Sequence, residues 1–131
     1  MLQKLEIRNY ILIDELSIEF NDGLSIITGE TGSGKSILLG AINQLLGNRI
    51  DHKIVGPKKD KCTIEAIFNI SDYNLKNFFI HNDLDYSTDT IIRREILRNG
   101  KSRAFINDSP VKLEILKKIS SYLIDIHSQN Q

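Results

Sequence analysis

The chain has a single cysteine, Cys62, in 131 residues. One thiol excludes an internal disulfide and most zinc sites, which need several sulfur or imidazole ligands. Cys62 lies in an alternating apolar run, where a thiol behaves as a small buried hydrophobe. Neither sign of charge is in excess, with 17 Lys plus Arg against 17 Asp plus Glu. Bulk charge therefore gives no reason to expect a nucleic-acid partner, and any such reason has to come from local clustering. No apolar run approaches the ~20 residues that span a bilayer as a helix. The opening MLQKLEIRNY lacks the layout of a signal peptide, so the default expectation is a cytoplasmic protein without a membrane partner. His52, His81 and His127 are scattered, and no pair of them has metal-ligand spacing. Internal repeats and low-complexity stretches are absent.

What remains is ordinary globular composition, 40% hydrophobic and 26% charged, in a length that suits about one domain. Alternation predicts strands over 2–8 and 15–20, and Asn21-Asp22-Gly23 reads as a turn. Leu24–Thr28 is a short apolar run that fits a buried strand. From Lys35 the period changes: Ile37, Leu38, Ala41, Ile42, Leu45 and Leu46 predict an amphipathic helix over 35–46, closed by Gly47. Residues 48–61 read as a loop and CTIEAIFNI as a strand. Ser71 is placed to cap a short helix around 72–80. Strands over 90–98 and 102–107 meet at Asn99-Gly100, a hairpin signal. Ser109-Pro110 reads as the start of a last helix through Leu113, Leu116, Ile119 and Leu123, which runs into a strand-like YLIDI.

Residues 29–36, GETGSGKS, follow a predicted strand and open a predicted helix, the setting a phosphate-binding loop requires. Gly29, Gly32 and Gly34 let the backbone come close to phosphate oxygens. The N–H groups of about residues 32–36 converge as an anion nest at the positive end of the helix. Glu30, Thr31 and Ser33 complete the loop. Lys35 reaches the β- and γ-phosphates of a nucleotide such as ATP, and the Ser36 hydroxyl ligates Mg²⁺.

Hydrolysis also needs a carboxylate at the end of an apolar strand. Asp14-Glu15 follows ILI but precedes the loop, where both acids should be exposed. Asp125 follows YLI, yet Ile126 stands where a catalytic Glu would follow. The phosphate cradle therefore stands without a convincing hydrolytic carboxylate, and the arrest at SQNQ, after an apparent core strand, suggests a fragment.

Four blocks in order, LEIRNYILIDELSIEF, TGETGSGKSILLGAINQLLGNR, RREILRNGKSRAFINDSPV and LIDIHSQNQ, resemble the start of the RecN family of bacterial DNA repair proteins, within the SMC-like group of ABC ATPases. The resemblance covers essentially the whole chain. It implies an α/β P-loop NTPase fold: the N-terminal lobe of a split ATPase head, with a mixed core sheet and a flanking antiparallel sheet. A coiled coil and a C-terminal half carrying the Mg²⁺ Asp and catalytic Glu would follow. It also implies that ATP is sandwiched between two heads, and a role in double-strand break repair at the nucleoid. Carried over by position, Gly29 to Ser36 hold the phosphates. Gln129, with Gln131 as second choice, approaches Mg²⁺ and the attacking water. Arg8 and Asn9 lie where the first strand exits near the nucleotide.

Arg93, Arg94, Arg98, Lys101 and Arg103 crowd the predicted hairpin and could meet DNA phosphates. Without interleaved aromatics or a groove-reading helix, base-specific readout is not indicated. Three other readings compete: a complete small P-loop kinase, an ABC transporter ATPase fragment, and a module that binds nucleotide only structurally. A kinase would need βαβ units after the loop, where this sequence predicts a hairpin.

Overall fold

A computed structural model describes residues 1–20, 32–48 and 52–123. Among these, period-two alternation builds six strands: β1 (Leu2–Tyr10), β2 (Ile13–Glu19), β3 (Lys61–Asn69), β4 (Asp89–Leu97), β5 (Ser102–Ile106) and β6 (Ser109–Val111). They form one sheet in the order β2-β1-β3-β4-β5-β6, every neighbouring pair antiparallel. β1 is thus flanked by β2 on one side and by β3 on the other. The register aligns Ile7 with Ile64, Ile64 with Arg94, and Arg94 with Ala104, so these side chains share one face. Leu5, Ile7, Cys62, Ile64, Ala66, Phe68, Ile92, Ile96 and Ile106 line that face and are buried. The other face carries Glu6, Glu65, Arg93 and Phe105, also in register.

Two helices cover the apolar face. α1 (Gly32–Leu45) packs on β3 and β4, burying Leu38, Ala41, Ile42 and Leu45. α3 (Leu113–Leu123) packs on β5, burying Leu116, Ile119 and Leu123. The short α2 (Lys76–His81) buries Phe79, whose ring meets Tyr86 edge-on at 5.4 Å. Gly47 takes φ +91° and its N–H bonds Gln44 O at 3.2 Å, the left-handed closure expected of it. The β4–β5 hairpin turns at Asn99-Gly100 as read, with Gly100 at φ +93°.

Four readings need correction. α1 begins at Gly32, not Lys35; glycine weakens a helix interior, but in the first turn N–H groups need no intrahelical acceptor. Ser109-Pro110 opens no helix. Asn107 and Asp108 both take positive φ (+48° and +67°) and reverse the chain directly into β6. Ser71 caps no helix, since its hydroxyl donates to Asn69 Oδ1 at 2.6 Å and α2 starts five residues later without a side-chain cap. Tyr122 and Leu123 belong to α3, not to a strand. The expected turn 21–23, strand 24–28 and tail 124–131 lie outside the described residues.

Candidate nucleotide site and the charged end of the sheet

α1 positions what is described of the phosphate loop. The first N–H groups of a helix have no intrahelical partner, so those of Gly32–Lys35 fall at its positive end. Ser36, just after the first turn, is exposed. A helix start and the exposed Ser36 hydroxyl fit a nucleotide phosphate with its cation. Gly29, Glu30 and Thr31, like Gln129 and Gln131, lie outside the described residues, as does Asp125.

The exit of β1 lies against α1. A Cβ at Gly40 would stand 2.7 Å from Tyr10 Oη, so any larger residue there would have to displace the ring. Burial pushes the Tyr10 hydroxyl pKa up, with the Cys62 thiol adding to the shift. Arg8 pairs with Glu15 at 3.6 Å in an exposed contact. Asn9, at φ +57°, donates from Nδ2 to Lys61 O at 3.2 Å. Both are thus engaged by neighbouring strands. Asp14 is exposed, as expected, and reaches Lys59 at 4.0 Å.

The five basic residues of the hairpin do not share a surface. Arg94 is fully buried on the core face between Ile64 and Ala104. Its guanidinium donates to Gln44 O at 2.6 Å and Asn48 O at 2.8 Å, at the carbonyl end of α1. Desolvation lowers its pKa. Arg93 lies on the opposite face within an acid network: Asp108 at 2.9 Å, Glu95 at 3.5 Å and Glu65 at 3.7 Å, with Phe105 beneath at 4.3 Å. Arg103 pairs with Glu95 at 3.0 Å. Arg98 donates to Lys59 O at 2.7 Å and to Gly56 O. Strand alternation separates Arg93 from Arg94, but it does not foretell that the core face would accept an arginine.

Beside the β1–β2 turn, Ile11, Leu12, Lys53, Val55, Pro57 and Arg98 line an open cleft of about 450 Å³. Leu12 is 84% exposed, and Ile11 holds φ +52°, unusual for a β-branched residue. Composition gave no signal for this cleft, because tertiary contacts assemble it.

A helix that starts within GETGSGKS, laid on an antiparallel sheet, is the arrangement of a P-loop ATPase head. A family profile described as an AAA domain matches residues 4–131, and the chain belongs to that family. Within it, the chain is similar to DNA repair protein RecN of Rickettsia felis, 40% identical over 130 residues, which is 99% of this chain and 24% of that protein. RecN of Vibrio cholerae is 38% identical over 131 residues, with the same shares. The chain thus spans about a quarter of the length of the curated relatives it matches. A solved chain from work on ATP-driven dimerization and DNA-stimulated activation of SMC ATPases superposes with TM-score 0.71 at 21% identity, covering 92% of this chain and 78% of that one. The SMC head domain from Thermotoga maritima gives 0.62 at 20%, covering 90% and 41%. The recombination mediator RecF gives 0.61 at 18%, covering 86% and 28%. The fold is that of SMC-type and RecF-type ATPase heads.

Proposed function

We propose that this chain is the ATP-binding lobe of a split RecN-like head acting in DNA double-strand break repair, with a cytoplasmic, nucleoid-associated location. The observation that carries the reading is GETGSGKS at the start of α1 in an SMC-type fold. Gly29 to Ser36 bind the triphosphate, Lys35 offsets the β,γ-charge, and Ser36 with Gln129 holds Mg²⁺. Bound magnesium would neutralise charge between the phosphates. A second head closes over the nucleotide, and a C-terminal half supplies the hydrolytic acids. The isolated lobe binds ATP without turning it over. The kinase reading is disfavoured because antiparallel strands follow α1 where βαβ units would be needed. DNA contact by the hairpin narrows to Arg98, Lys101 and Arg103, the members with exposed side chains.

Titration calorimetry with Mg·ATP tests the nucleotide site. Lys35→Ala should abolish the binding heat while circular dichroism stays unchanged. Equal binding by the variant, or steady ATP hydrolysis by the chain alone, would overturn the reading.

A further inference from the structure

α1 opens inside the phosphate motif, and two polar contacts elsewhere along the helix set its direction. The first is at its middle. Tyr10, buried at the exit of β1, lays its hydroxyl against Gly40, where a Cβ would stand 2.7 Å away. The second is at its far end. Arg94 Nη1, from β4, donates to Gln44 O at 2.6 Å and to Asn48 O at 2.8 Å, while Nη2 faces Ser102 Oγ on β5 at 3.5 Å. Leu38, Ala41, Ile42 and Leu45 press the helix onto the sheet, but apolar contacts fix a tilt less closely than bonds from a planar guanidinium.

The guanidinium sits here at a cost. It is fully buried, its Nε has no hydrogen-bond partner, and no carboxylate pairs with it among the described residues. Closing the helix does not require it. Gly47 N already bonds Gln44 O at 3.2 Å and Asn48 N bonds Asn43 O at 3.3 Å, the paired bonds that end a helix at a left-handed glycine. Arg94 adds a second, charged bond to one of those carbonyls. The same turn is abutted by α3, since a Cβ at Gly47 would stand 2.8 Å from Lys117 Cγ.

We infer that Arg94 is a positioning residue for the nucleotide: with Tyr10 as the other support, it fixes the tilt of α1 and so the place of its phosphate-binding end. This role rests on the nucleotide reading above. Leverage enlarges the effect. Gly32 lies eight residues before Gly40, about 12 Å along the axis, and Gln44 four residues after it, about 6 Å. A helix pivoting at Gly40 therefore moves its first N–H groups about twice as far as its last carbonyls. A slip of about 0.5 Å at Gln44 becomes about 1 Å at Gly32, enough to lengthen and misalign bonds to a phosphate.

Titration calorimetry with Mg·ATP, at a temperature where circular dichroism shows each protein folded, tests this role. Arg94→Met should bind at least about tenfold more weakly than the parent. Arg94→Lys keeps the charge but not the fork that spans both carbonyls; it should bind about threefold more weakly, and it decides the matter if Arg94→Met does not fold. Asn107→Ala loses bonds to Ile91 N and Asp85 O, none of them to α1. It should be destabilised yet bind Mg·ATP as the parent does. Parent affinity in Arg94→Met, or in Arg94→Lys where that variant decides, would leave Arg94 a stability role alone and overturn the proposal. Equal weakening in Asn107→Ala would overturn it as well, because destabilisation anywhere would then suffice. A parent that takes up no Mg·ATP would sink the nucleotide reading and this role together, whereas parent affinity in the Arg94 variants sinks only the role.

Discussion

At the scale of single residues, Arg94 joins two parts of the protein. It carries a buried charge from the sheet to Gln44 O in the last turn of α1, where the helix dipole is negative, and to Asn48 O just beyond the helix. Arg94→Met keeps much of the apolar stem but leaves Gln44 O and Asn48 O without their charged donor. A loss of about 2–4 kcal/mol is expected from two such bonds, read as a lower urea midpoint. Cys62 is the opposite case, a group whose chemistry burial suppresses. Desolvation pushes its thiol up to about 12. The native pKa lies above the unfolded one, so this contribution to stability is complete below about pH 8.5 and declines as pH rises towards 12. Iodoacetamide at pH 8 should leave the native chain unmodified and label Cys62 once urea unfolds it. The Cys62 reading followed from alternation alone. The Arg94 role did not, because a strand pattern assigns a face but cannot name a hydrogen-bond partner fifty residues away in sequence.

Among elements, the sheet shows where local signals suffice. Asn99-Gly100 specified its hairpin because glycine supplies the positive φ the turn needs. Asn107-Asp108 makes a second hairpin with both residues at positive φ and no glycine, and Ser109-Pro110 beside it imitates a helix start. Tertiary bonds settle the outcome: Asn107 Oδ1 accepts from Ile91 N at 2.9 Å, and its Nδ2 donates to Asp85 O at 3.0 Å. Pro110 is tolerated because β6 pairs with β5 alone among the described strands. Asn107→Ala removes both bonds and leaves alanine in a left-handed conformation, a cost of about 2–3 kcal/mol in chemical denaturation. The phosphate loop was legible because the motif and its helix are contiguous in sequence. The bonds from Arg98 to Gly56 O and Lys59 O were not, since they join segments distant in sequence.

For the molecule as a whole, nucleotide binding and folding are linked. If Mg·ATP binds only the native chain, ligand at about 100 times its dissociation constant adds about 2.7 kcal/mol of stability. The thermal midpoint should rise accordingly for the parent and stay fixed for Lys35→Ala, as scanning calorimetry would show. The strand order has a kinetic counterpart. β1 meets β2 across a tight turn, whereas its bonds to β3 form only after residues 20–60, with α1 among them, have been gathered into a closed loop. During synthesis the hairpin therefore leaves the ribosome with one flank of β1 unzipped, and that flank stays available to wrong partners until Asn69 has cleared the exit tunnel.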